Sequence, residues 1–137
     1  MPRVPRLPRL DPGRARAVVR LVGAAGMVVG AGSLAIPRLG LSAVGLEAEG
    51  RGVAFMARLF GCRDLVLCAG LLRVAGEPRV DVRWLDLLAV MQAGDLALTT
   101  AMYRSGGLSR RGLAVVLCSA TPTLVALLAA RRELAAA

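Results

Sequence analysis

The sequence predicts an all-α integral membrane protein, an up-down bundle of four transmembrane helices. Three observations point there. The chain of 137 residues is 56% hydrophobic and only 3% aromatic, with a mean hydropathy of +0.63; a soluble domain of this size cannot bury so much aliphatic surface, and lipid is the natural solvent for the excess. Its apolar residues gather into four blocks, each near the ~20 residues that cross a ~30 Å hydrocarbon core. Short connections between the later blocks join antiparallel neighbours, and the length fits one domain.

Residues 1–16 form a basic tail rich in Pro and Arg. It opens with "MPRVPRLPRL", and a polyproline II period of three would put Arg3, Arg6 and Arg9 on one edge. The first span, 17–36, carries a single charge, Arg20, near its start, and Gly26 and Gly30 form a G-x-x-x-G that lets another backbone approach. A cleaved signal peptide is the competing reading; the long proline-rich lead and the later apolar blocks argue for an uncleaved span. The loop "RLGLSAVGLEAEGR" leads to a second span, 52–72. "RVAGEPRVD" leads to a third, 82–102, and "RSGGLSRR" to a fourth, 113–130, before a short tail, 131–137.

The positive charge explains itself as topology. With the N-terminus cytoplasmic, eleven Arg lie inside: Arg3, Arg6, Arg9, Arg14, Arg16, Arg20, Arg73, Arg79, Arg83, Arg131 and Arg132. Five lie outside: Arg38, Arg51, Arg104, Arg110 and Arg111. The positive-inside rule therefore places both termini in the cytoplasm. Nucleic acid is a poor partner for this charge, because the Arg fall between apolar blocks and few aromatics are available for stacking.

Several chemistries lack their residues. With no His, imidazole-ligated haem, the common His-containing zinc sites and His proton shuttles are excluded. Cys62, Cys68 and Cys118 form no C-x-x-C, so reduced, packed thiols are expected and no metal or cofactor is called for.

The second and third spans carry groups that hydrocarbon does not tolerate bare. Arg58, Arg63 and Asp64 interrupt the second, and Gln92, Asp95, Thr99 and Tyr103 make a polar stripe along the third. An unpaired charge at mid-bilayer costs at least ~2.5 to 3.5 kcal/mol. In an antiparallel hairpin, residues at equal depth have numbers summing to about 154, which sets Asp95 level with Leu59, between the two Arg. At about 100° per residue Arg58 and Arg63 point ~140° apart, so one neighbour cannot face both. The reading pairs Asp95 with Arg58 or Arg63 and favours Arg58, whose face of Ala54, Gly61, Cys62 and Ala69 suits close packing. Asp86 points the other way, toward Arg83 or water. In "CSATPT" of the fourth span, Pro122 frees a backbone carbonyl that Ser119, Thr121 or Thr123 could serve.

At "RLFGCRDLVLCAGLL", Arg58 to Leu72, followed by a third span with Asp95, the chain resembles a family of small bacterial and fungal membrane proteins catalogued as domain of unknown function 4267. The resemblance implies a four-helix integral membrane protein, here multi-pass in a bacterial plasma membrane, and supplies no catalytic residues. Three functions are open. The first is an accessory or scaffold subunit held by a buried Arg/Asp network of Arg58, Arg63, Asp64, Gln92, Asp95 and Thr99. The second is a proton-coupled small-molecule transporter acting as an oligomer. The third is a membrane enzyme using Asp64 and Asp95 as acid and base on a lipophilic substrate. Expected partners are the lipid bilayer and either further copies of the chain or another membrane protein.

Overall fold

The computed structural model describes residues 10–43 and 51–136, and within them the chain is helical without a strand. Five helices follow one another: α1 (Pro12–Ala35), α2 (Pro37–Ala43), α3 (Arg51–Ala75), α4 (Arg83–Arg104) and α5 (Arg110–Ala135). Three of them, α1, α4 and α5, are long and apolar enough to cross a membrane. α3 has the length, at 25 residues, but carries Arg58, Arg63 and Asp64 in its middle and is not among the three.

Local chemistry sets the helix ends. Asp11 caps α1, its Oδ1 accepting from Arg14 N at 2.9 Å, and Pro12 takes the first-turn position where its missing N–H costs nothing. The first helix therefore begins five residues earlier than a 17–36 span, inside the segment expected to be tail. After α4 the chain turns through Gly106 at φ 80. Gly107 N donates to Met102 O at 2.9 Å and Gly106 N to Tyr103 O at 3.1 Å, the paired bonds of a Schellman ending. Ser109 then caps α5 through Gly112 N at 3.1 Å. α5 runs on to Ala135, so most of the expected 131–137 tail is its last turn. The loop expected after the first span contains α2, which starts where the chain bends at Ile36. The Pro/Arg repeat of residues 1–9 lies outside the described residues.

α1 lies against α3 along the longest seam of the fold, packs on α5 more briefly, and α5 pairs with α4; α3 and α4 meet over a much shorter contact. The α1–α3 seam is made by missing side chains. A Cβ at Gly30 would stand 2.9 Å from Gly61 O, and one at Gly61 would stand 2.7 Å from Gly30 O. A Cβ at Gly26 would collide with Cys68 Sγ. The G-x-x-x-G of the first span is thus the surface on which α3 rests.

The main core cluster lies at one end, where α1 and α4 begin and α3 and α5 finish. Ala15, Val19, Leu71, Ala75, Leu85, Leu88, Leu127, Ala130 and Leu134 form one buried cluster there. Arg16 seals it, its guanidinium donating to the carbonyls of Glu77 at 2.5 Å and Pro78 at 2.6 Å, and at 3.4 Å to Ala75. These carbonyls lie at and just beyond the C-terminus of α3, where orphan acceptors and the helix dipole favour a cation. Elsewhere large apolar side chains face outward, among them Val28, Phe55, Val66 and Val90, each at least 60% exposed.

Candidate functional site

Arg63 is the centre of the polar interior. Its Nη1 donates to Asp95 Oδ1 at 3.2 Å and its Nη2 to Asp95 Oδ2 at 3.0 Å, a two-pronged bond from α3 to α4. The same guanidinium turns its Nε and Nη2 to Asp64 Oδ1, at 3.1 and 3.0 Å. Its carbon lies 5.0 Å from the centroid of the Phe60 ring, within cation–π reach. The side chains of Arg63, Asp64 and Asp95 are only 26%, 26% and 30% exposed. One planar fork thus holds two carboxylates, a geometry that Arg provides and Lys does not.

Arg58, the partner favoured from sequence, is elsewhere. It is exposed, and its Nε makes a long 3.4 Å bond to Leu34 O of α1. The reason is the direction of helical side chains. Each leans toward the N-terminus of its helix, so a long side chain acts about a turn before its own Cα. The fork of Arg63 therefore reaches the level of Leu59 and Phe60, the depth expected of Asp95, while that of Arg58 is carried away toward the start of α3. Trp84 supports the same register near the other end: its ring lies on Gly70, where a Cβ would strike it.

Beside the network the long helices line a half-open cavity of about 470 Å³. Its wall is mostly aliphatic. Polar or polarisable groups enter it from Asp64 and Cys68 of α3, Gln92 of α4, and Ser119 and Thr123 of α5, with Gly26 of α1 opposite. The α5 hydroxyls are already donating: Ser119 Oγ to the carbonyls of Val115 and Val116 at 3.0 and 3.1 Å, and Thr123 Oγ1 to Ser119 O at 2.8 Å. Neither serves the carbonyl of Cys118, the one that Pro122 deprives of its helical donor.

Of the residues singled out from sequence, Arg63, Asp64 and Asp95 come together, and Gln92 joins Asp64 at the cavity. Arg58 does not join them. Thr99 is half-buried and its hydroxyl makes no hydrogen bond among the described residues. Two contacts escaped the sequence reading. Asp86 does not face Arg83 but pairs with Arg131 of α5, Nε meeting Oδ1 and Nη2 reaching Oδ2 at 3.2 Å. Equal depth applied to the α4–α5 hairpin would have set these two near one another. Arg16 had been counted only as a topological charge, although an orphan helix C-terminus one hairpin away needed a donor. Among the described residues no group of three His, Cys, Asp or Glu side chains is placed to hold a metal ion. In comparisons with known proteins, no family model, curated protein or solved structure matches this chain.

Proposed function

We propose that the chain crosses the membrane four times, with α3 as the fourth span and both termini cytoplasmic, and that it serves as an accessory or scaffold subunit whose Asp64–Arg63–Asp95 network is a structural clamp. The observation carrying this reading is the placement of Arg63: it ties α3 to α4, the consecutive long helices with the shortest packed seam. All its donor nitrogens face carboxylates, and neighbouring helices supply the compensation that a charged span requires in lipid. The broad outward apolar surface of the long helices suits lipid and a second membrane chain alike.

The enzyme alternative has less support, because an acid–base pair must reach one substrate and Asp95 is not part of the cavity wall. Transport by an oligomer finds support in the cavity itself, and would require the Asp64 wall to open to each side in turn.

Native mass spectrometry of the protein extracted in its own lipid tests the scaffold reading. A defined stoichiometric complex with another membrane chain, or with further copies, is the expected result; a monomer carrying only lipid would defeat it. Reporter fusions after Arg132 test the topology, and activity only on the outer side would overturn the four-span orientation.

A further inference from the structure

The clamp leaves a charge uncompensated beside an empty volume. Arg63 contributes one positive charge and Asp64 and Asp95 two negative, so the network carries a net −1. Arg63 takes both oxygens of Asp95 but only Oδ1 of Asp64. Asp64 Oδ2 accepts no hydrogen bond among the described residues, and Asp64 is the member of the network that lines the cavity.

We infer that the cavity between the long helices is a binding site for a small lipophilic ammonium ion, with Asp64 as its counter-ion. Three features of the wall select this ligand. A carboxylate with one oxygen free of Arg63, set in a mostly aliphatic wall, matches a cation with an apolar body. The wall offers an inorganic cation only the side-chain oxygens of Asp64, Gln92, Ser119 and Thr123, beside the aliphatic Leu21, Val22, Val29 and Leu88, fewer than the roughly six to eight that a hard ion takes. The polar residues of the wall include Asp64, one of whose oxygens is free of Arg63, and the hydroxyls of Ser119 and Thr123, whose protons are committed to backbone carbonyls, beside Gln92, whose amide can both donate and accept. Acceptors call for a ligand that donates, which a protonated amine does and a quaternary ammonium does not. The volume falls within the ~300 to 1,000 Å³ range of small-molecule sites.

The test is equilibrium binding of tritiated 1-adamantylmethylamine to the full chain in phosphatidylcholine nanodiscs at neutral pH, with empty discs as baseline and 1-adamantylmethanol as the uncharged competitor of equal shape. Saturable binding of one amine per chain is expected, with the alcohol displacing it at least tenfold less well. Asp64→Asn should weaken binding at least tenfold. Ala126→Leu, which fills the cavity without touching a charge, should weaken it too, and it decides the matter if Asp64→Asn does not fold. Asp81→Asn, in the exposed α3–α4 turn, should bind as the parent does. Equal displacement by amine and alcohol, undiminished binding by folded Asp64→Asn, or no binding above empty discs would overturn the inference. The site does not depend on the scaffold reading, because amine binding is measured on the isolated chain and partner assembly is not.

Discussion

Where α1 begins and α5 finishes, Val19, Leu71, Leu85 and Leu127 meet with no exposed surface at all; a few turns along, the helices border a cavity, and one guanidinium joins α3 to α4. The two regions solve the same problem by different means. At the packed end each of the four long helices contributes side chains to one cluster, and close contact supplies many small dispersion gains. At the cavity, α3 and α4 have little packing between them, and a directional bond takes over. Lipid offers no hydrophobic force to press helices together, so in a membrane contact and polar bonding must share that work. The comparison teaches that the Arg63 clamp lies where two consecutive long helices pack least.

The largest effect expected is at the clamp. Arg63→Leu strands two carboxylates and should lower stability by about 3 to 5 kcal/mol, the usual cost of breaking a buried pair. Arg79→Leu, in the exposed turn, should stay within about 0.5 kcal/mol of the parent, as surface substitutions do. Denaturant titration in mixed micelles measures both, and equal values for the two variants would mean that the clamp bears no load.

At the packed end, Leu71→Ala should cost about 2 to 5 kcal/mol through lost contact and a residual void. Eight residues of helix, roughly 12 Å, separate Leu71 from Arg63. If the two regions are independent, the double variant should lose the sum of the single losses to within about 0.5 kcal/mol. A clear departure from additivity would show that core and clamp are one cooperative unit, and the comparison would have to be redrawn.

The smallest effect is expected at the seal of the packed end. Arg16→Met keeps much of the apolar stem and loses only the donors to the carbonyls at the end of α3, which water can partly replace. A loss of about 1 kcal/mol is expected in the same titration. A loss matching that of Leu71→Ala would make the Arg16 contacts part of the core.

The sequence by itself determined the four long helices and their rough limits, though not α2, because apolar block length and helix-ending chemistry are local. Gly26 and Gly30 announced a close approach, and Asp95 announced a need for a cation. Local information could not say which cation. The rotation between Arg58 and Arg63 was readable, but the lean of a long side chain toward the start of its helix moves its charge by about a turn, and that displacement decided for Arg63. Other matters were tertiary throughout: that Arg16 closes the end of α3, that Asp86 meets Arg131, and that Asp64 borders a cavity. Each joins residues distant in the chain, and the joining depends on how far the helices converge or diverge, a property of their mutual packing that no single segment carries.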